Sequence, residues 1–222
     1  MTGDELIADF RSVSQDSADG QLWSDEDVLR WLDEAQQEAV VRARLLHEST
    51  NTAICNIAVT SGASVYSLHA SLYEIDHIAF LATGATTRTP LKLVSREELD
   101  RIRPDWRDKT GTPEFAIQTD KQLRLTPTPD VTGTVLLEGY RLPLVTLEDS
   151  GKTPEINAAH HRHLVHWVLH RAYGIQDADS FDPNRSAKSE AAFTDYFGSP
   201  PDADLRRSTR ADEVQHNIAH WP

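Results

Sequence analysis

The densest group of side chains that could do chemistry is a run of histidines at residues 160–170. His166 and His170 have the i, i+4 spacing of zinc ligands on a helix, and His163 precedes His166 by three residues. The residues between the pair are Trp-Val-Leu, so the glutamate of a metalloprotease helix is missing. No acid occurs from residue 157 to residue 176 to orient a ligand. The pattern favours a hydrated or interface-facing stripe, formed by His160, His161, His163, His166 and His170.

Nucleophilic and phosphate-binding patterns are missing from the sequence. The chain has no Gly-x-Ser-x-Gly elbow, no Gly-x-Gly-x-x-Gly and no P-loop, and its ten glycines occur singly. Cys55 is the only cysteine, which excludes an internal disulfide and a Cys-rich zinc module. We therefore expect a protein that is not an enzyme, with no catalytic residue, metal or cofactor. A metal-dependent hydrolase that uses the histidines of residues 160–170 is retained as an alternative.

The chain of 222 residues is strongly acidic, with 22 Lys and Arg against 35 Asp and Glu and a net charge of −13. Most of this excess lies in residues 1–50, whose net charge is −8. This balance argues against a surface that grips nucleic acid throughout, because phosphate binding needs clustered bases. No apolar run approaches the ~20 residues of a membrane span, and no secretory signal is visible. A reducing compartment and no membrane partner are expected.

One basic stretch departs from this trend. Residues 96–109 hold five bases around Trp106, but five acids alternate with them and the net charge is zero. A base-rich segment with an aromatic could contact nucleic acid. Because the acids cancel the charge, ion pairing within the chain or between subunits explains the pattern better.

Helical periodicity occurs in three main segments. Ser24 can cap a helix over residues 24–48, where acids in the first turn suit the helix dipole and small and apolar residues recur every three or four positions. A second helix is predicted over 155–175. A third is predicted over 185–197, with its apolar stripe at Ala187, Ala191, Ala192 and Tyr196. A shorter helix is possible from Asp4 to Phe10.

Residues 51–148 have the composition of short strands, rich in Thr, Val, Ile and Tyr between turn residues. Residues 53–59 and 65–68 are predicted to form a hairpin around the turn at residues 61–64. Asp120 and Lys121 form a second tight connection, and a brief helix from Ser95 ends before Pro104. Six or seven strands at this spacing suggest a small antiparallel barrel or sandwich.

The predicted fold class is α+β, with a helical bundle of three main helices and an inserted antiparallel β barrel or sandwich lobe. None of these helices would be stable alone in water, so we expect them to pack together as one bundle. The bundle is discontinuous in sequence and consists of residues 1–50 and 149–198. The lobe is residues 51–148. Residues 199–222 form an extended C-terminal segment with no sustained periodicity.

Several motifs, in order along the chain, resemble those of a known family. Residues 22–35 resemble the family's opening helix, and the most specific match is a core that contains Pro104 and Trp106. The matching strings are LWSDEDVLRWLDEA at 22–35, YSL at 66–68, YEIDHI at 73–78, SREELD at 95–100, PDWR at 104–107, TGTPEFAI at 110–117 and LRLTPTP at 123–129. His69 stands where the family often has proline. The resemblance, which extends over residues 20–198, is to the adaptor or head–tail connector proteins of tailed bacteriophages.

This resemblance implies a structural virion protein at the head–tail junction, assembled in the host cytoplasm. Twelve copies would form a ring below the portal protein, extend the DNA channel and present a platform to tail or nozzle proteins. Double-stranded DNA would pass through without specific binding. The C-terminal segment would be an arm that binds the portal, with apolar anchors at Leu205, Val214, Ile218 and Trp221.

A channel that passes DNA should repel phosphate, and −13 per chain becomes a large repeated field in a ring. The acids of the first long helix are the candidates to face such a channel, namely Asp25, Glu26, Asp33 and Glu34. The plain alternative is that they face solvent. A different oligomeric virion interaction module with the same architecture is a further alternative for the whole chain.

Overall fold

The computed structural model describes residues 1–16, 21–176 and 180–201, and these form two compact units. The first unit combines residues 1–47 with residues 141–201, and the second consists of residues 48–140. The fold mixes helices with sheets, as predicted at this coarse level. None of the sheets in the described ranges closes into a barrel, so the barrel alternative is wrong. The finer sequence-based domain bounds, and the description as a bundle with a sandwich lobe, stay predictions.

The described ranges contain six α-helices, which include the two shorter helices predicted from Asp4 and from Ser95, and a 3-10 helix at Ala158–His163. The α-helices are α1 (Gly3–Ser14), α2 (Asp25–Ala43), α3 (Thr52–Cys55), α4 (Arg96–Ile102), α5 (Leu164–Gly174) and α6 (Pro183–Phe197). Helices α1, α2, α5 and α6 belong to the first unit, where α5 packs against the other three. The core of this unit therefore forms around α5.

Local caps explain where the first two helices begin. The Thr2 hydroxyl accepts from the Glu5 amide while the Glu5 carboxylate accepts from the Thr2 amide, which is a complete capping box. Ser24 caps α2 by accepting from the Asp27 amide, as the sequence predicts. The predicted end of α2 near residue 48 is wrong, because Arg44 adopts a left-handed conformation with φ 52° and ends the helix at Ala43.

The last two helices differ from the prediction in start and in face. The segment predicted to be helical from residue 155 is a 3-10 helix from residue 158 and becomes α-helical only at Leu164. In α6 the buried residues are Ser186, Phe193 and Phe197. The predicted apolar stripe is wrong, since Ala187, Ala191 and Tyr196 are exposed. The two phenylalanines decide the orientation because each buries far more apolar area than an alanine.

The strands in the described ranges are short, apart from two that cross the second unit. They are β1 (His47–Glu48), β2 (Asn56–Val59), β3 (Val65–Ser67), β4 (Leu72–Ala82), β5 (Thr89–Pro90), β6 (Lys92–Leu93), β7 (Thr110–Gly111), β8 (Phe115–Gln118), β9 (Gln122–Thr126), β10 (Thr128–Pro129) and β11 (Gly133–Arg141). One sheet has the order β1-β11-β4-β5, with β2 also paired to β11, and another has the order β3-β9-β8-β6. The pairs β6–β8 and β7–β10 are parallel, so the prediction of a purely antiparallel lobe is wrong.

The two predicted hairpins have different outcomes. The hairpin around Asp120 and Lys121 is confirmed: β8 and β9 pair antiparallel, and the Thr119 amide donates to the Gln122 carbonyl at 2.8 Å. The hairpin of residues 53–59 and 65–68 is wrong. Residues 52–55 are the helix α3, β2 pairs with β11, and β3 pairs with β9 in another sheet. Gly62, with φ 82°, turns the chain from one sheet to the other.

The interior of the second unit is closely packed around β4 and β11. Both strands contribute to one apolar core, in which Phe80, Val135 and Leu137 are at most 2% exposed. Gly139 lies where β11 crosses β4 most closely: a Cβ atom there would lie 2.2 Å from the Glu74 carbonyl oxygen and 3.0 Å from the Ile75 Cα. Glycine is required at this position because backbone occupies the space of any side chain.

Replacing this glycine tests the packing of the two strands. We expect Gly139→Ala to lower the free energy of unfolding by about 3 kcal/mol, because β4 and β11 must separate to admit a methyl group. Gly151→Ala is the matched control, since the nearest atom to its added Cβ is the Asp149 Oδ1 at 3.5 Å. Urea denaturation should show a change within about 0.5 kcal/mol for the control. Equal effects of the two substitutions would contradict this close approach.

Candidate functional site

The histidines of residues 160–170 are held by contacts within the first unit. His161 is buried, donates from Nε2 to the Ile156 carbonyl at 2.9 Å and accepts at Nδ1 from the Met1 amine at 2.9 Å. His170 contacts the Ser186 hydroxyl on α6 at 3.0 Å through Nδ1. His166 and His170 do share the predicted α-helix, but His163 is the residue that precedes its first turn.

Two of these imidazoles contact one aromatic side chain, and a third lies beside them. The Tyr196 ring stacks on the His163 ring with centroids 3.5 Å apart and an angle of 10° between the planes. The Tyr196 hydroxyl lies 3.1 Å from His160 Nδ1, and the rings of His163 and His166 have centroids 5.9 Å apart. We refer to His160, His163, His166 and Tyr196 as the imidazole cluster. It joins the start of α5 to the end of α6.

The imidazole cluster is not arranged as a metal centre. Within the described ranges, no three His, Cys, Asp or Glu side chains come together as a group that could hold a metal ion. The histidine rings are instead engaged with Tyr196, Ser186, Ile156 and the amino terminus. The geometry gives the hydrolase alternative no support, and it assigns these side chains to the contact between helices.

The four acids predicted to face a channel are placed differently from one another. Glu26 is exposed, and the Asp25 side chain is 60% exposed. Asp33 and Glu34 are half-buried, and both bind within the first unit. Asp33 accepts hydrogen bonds from the Leu147 amide at 3.0 Å and from the Gln37 side chain at 2.7 Å, and Glu34 pairs with Arg171 at 3.0 Å.

Arg11 ties the end of α1 to the start of α2. Its guanidinium pairs with the Asp16 carboxylate and also donates to the Trp23 carbonyl at 2.7 Å and to Asp25 at 2.6 Å. The side chain of Arg11 is 13% exposed and that of Asp16 only 3%. Sequence reasoning missed this contact, although a signal was present, since Arg11 is the only base in the first 29 residues.

The bases of residues 96–109 form ion pairs within the chain. The sequence predicts ion pairing either within the chain or between subunits. Its ion pairs are Arg101–Glu98, Arg103–Glu114, Arg107–Asp100 and Lys109–Asp105. Hydrogen bonds from Arg107 and then from the Trp106 indole lower the pKa of Asp100. The Arg101 and Lys109 side chains likewise lower the pKa values of Glu98 and Asp105. These pairs are therefore formed at neutral pH and are lost as the pH falls through the lowered pKa values.

Trp106 forms the centre of this stretch. It is 3% exposed, packs with Leu99 and Ile117, and donates from its indole to Asp100 at 2.8 Å. The guanidinium groups of Arg107 and Arg124 lie 4.4 and 5.0 Å from its ring centroid. Because the ring is buried, it is not available to stack on a nucleic-acid base, and its role is to anchor α4 within the second unit.

The sequence was compared with models of known protein families. A family model described as SU10 adaptor protein matches residues 1–215. The chain belongs to the SU10 adaptor protein family. The comparison with curated proteins found no match.

Membership of the SU10 adaptor family confirms the predicted resemblance to phage adaptors. The family identifies the chain as a structural adaptor of bacteriophages, a class that is typically not enzymatic. It implies contacts with other virion proteins, such as portal and tail proteins, at the head–tail junction. No helix in the described ranges is long and apolar enough to cross a membrane.

The predicted portal-binding residues of this SU10 adaptor belong to the C-terminal segment. Leu205, Val214, Ile218 and Trp221 all lie outside the described residues. The described chain reaches residue 201, four residues after α6 ends at Phe197. Their assignment therefore stays a prediction from the sequence.

Removing the Arg11 guanidinium tests the connection between α1 and α2. We expect Arg11→Met to lower the free energy of unfolding by about 3 kcal/mol, because the buried Asp16 carboxylate loses its counter-charge. Arg30→Met is the matched control, since Arg30 pairs with Asp27 at the surface and its side chain is 64% exposed. Chemical denaturation of the control should differ from the native chain by at most about 0.5 kcal/mol. A small effect at Arg11 would show that the pair does not hold the connection.

Proposed function

We propose that this SU10 adaptor assembles into a ring, with twelve copies as the expected number, that docks below the portal protein in the virion. The ring extends the DNA channel and presents a platform for tail or nozzle proteins. The observation that carries this proposal is the family match over residues 1–215. Assembly takes place in the host cytoplasm before the tail joins the head.

The acidic first helices support a channel that DNA crosses without adhering. The first turn of α2 contains Asp25, Glu26 and Asp27, and the first turn of α1 contains Asp4 and Glu5. In a ring, each exposed acid is repeated in every subunit, so the lumen would carry a strong negative potential. Glu26 is the best candidate for this surface because it is exposed. Asp25 is a further candidate, since its side chain is 60% exposed, but its charge is partly neutralised by the pair with Arg11 at 2.6 Å.

Asp33 and Glu34 contribute to the proposed channel in a different way. Both are half-buried, and their hydrogen bonds to Leu147 and Arg171 hold neighbouring segments of the first unit. Glu34 is partly neutralised by its pair with Arg171, so its share of a repulsive field is smaller. We retain both as channel-facing candidates of second rank.

The C-terminal residues are proposed to form an arm that binds the portal. Leu205, Val214, Ile218 and Trp221 supply apolar side chains in a polar segment, and aromatic residues are frequent anchors of protein interfaces. A segment that gains order only on binding adds specific contacts at an entropic cost. The proposed segment begins at residue 199, two residues after the end of α6 at Phe197.

Truncation after residue 199 tests the ring and the arm together. We expect the full chain to bind purified portal protein and to appear as twelve-subunit rings in electron micrographs of the complex. The truncated chain should keep its melting temperature, because no described core residue lies beyond residue 199, but should lose at least ten-fold in portal affinity.

Two results would contradict this proposal. Rings that form without any affinity for the portal would favour a different oligomeric virion module. Loss of the fold on truncation would show that the C-terminal segment belongs to the core and is not an arm.

Charge reversal at Glu26 tests the proposed channel surface. We expect rings of Glu26→Lys to be retained on double-stranded DNA at low salt, with retention that falls steeply as salt rises, because each subunit gains a phosphate contact. Glu97→Lys is the matched control, an exposed acid in the first turn of α4 in the second unit. If both variants bind DNA equally, α2 does not line the channel in preference to other surfaces.

A further inference from the structure

The end of α6 is held by imidazole rings and not by a carboxylate or an apolar side chain alone. Tyr196 stacks on His163 at 3.5 Å and contacts His160 Nδ1 through its hydroxyl. The His160 ring also lies 6.1 Å from that of Phe197, the last residue of α6. The final turn of α6 is therefore in contact with imidazole rings, which become positively charged on protonation.

The start of α5 is a poor place for such a charge. His163 is the last residue of the 3-10 helix that continues directly into α5, and His166 lies in the first turn of α5, so a charge on either ring has no acid of the same helical segment nearby. The first turns of α1 and α2 contain acids, but that of α5 contains none. The rings of His163 and His166 are 5.9 Å apart, so protonation of one opposes protonation of the other.

The charged groups of α1 and α2 near the imidazole cluster are paired with other residues. From α1, Asp9 pairs with Arg162 at 3.0 Å, and the Met1 amine lies against His161. From α2, Glu34 pairs with Arg171 and Glu38 pairs with Arg42. On α6, Tyr196 is the titratable residue that contacts the histidines of the cluster, while Glu190 and Asp195 are exposed.

We propose that the imidazole cluster is a pH-sensitive clamp, which holds the last turn of α6 on α5 when its histidines are neutral and releases it when they are protonated. Release separates the last turn of α6, which is followed by residues 199–201 of the first unit, from the start of α5. That this affects portal docking rests on the proposed function, whereas the clamp itself does not.

The direction of the titration agrees with this geometry. Burial lowers the pKa of His163, with a smaller contribution from the charge on His160. Burial likewise lowers the pKa of His166, with a smaller contribution from His163. A histidine whose pKa is lowered by folding stabilises the folded state above its unfolded pKa, near 6.5. That stabilisation is lost as the pH falls through the lowered value.

Amide hydrogen exchange of the full chain tests the clamp. We expect the protection of residues 193–198, corrected for the intrinsic exchange rate, to fall about ten-fold between pH 7.5 and pH 5.5. The double variant His163→Gln and His166→Gln removes both ionisable rings. Its protection of residues 193–198 should change less than two-fold over the same pH range. His77→Gln, an exposed histidine in the second unit, is the control and should behave as the native chain.

Three results would overturn the clamp: constant protection in the native chain, an equal pH dependence in the double variant, or an equal loss of protection throughout α2. If the double variant does not fold, proton NMR of the native chain provides a second measurement. The His163 and His166 ring protons should titrate below the ordinary histidine pKa near 6.5, and the Tyr196 ring protons should shift at the same midpoint. A Tyr196 signal that does not follow these histidines would also contradict the clamp.

Discussion

The packing of α5 against α1, α2 and α6 is the constraint on which the first unit depends. Leu164, Val168 and Ala172 recur at four-residue steps along α5, and all three are fully buried. Burial of a leucine or valine side chain contributes about 1.5–3 kcal/mol, which isolated helices of this length cannot supply in water. Because α5 follows the second unit in the chain, α1 and α2 gain their main partner only after residues 48–140 have been traversed.

The sequence predicts elements well where a local signal decides them. Ser24 and the acids after it mark the start of α2, and Ser95 and Pro104 mark the limits of α4, because caps and proline act on adjacent backbone. The end of α2 is not determined by a local signal of this kind. Ala43 and Leu46 continue the apolar period, but Arg44 turns the chain towards another segment of the unit.

Tertiary partners account for the remaining errors. The turn around Gly62 has the residues of a hairpin, but turn residues do not specify whether the next strand returns to the same sheet. Tyr196 was assigned to a buried stripe because it is apolar at helical spacing, whereas α6 buries Phe193 and Phe197 and leaves Tyr196 to stack on His163. Spacing identified the histidines of residues 160–170 as unusual, but not their partner, which is a residue some thirty positions away.

The two segments of the first unit meet through the backbone where the chain leaves it and returns. The Arg141 amide donates to the Leu46 carbonyl at 2.9 Å, and both residues belong to the first unit. The ends of the inserted stretch are thus fixed at one point, and each doubling of loop length adds only about 0.6 kcal/mol to the cost of closure. Because both ends of residues 48–140 are held at this one hydrogen bond, a change of length inside that stretch need not separate the two segments of the helical core.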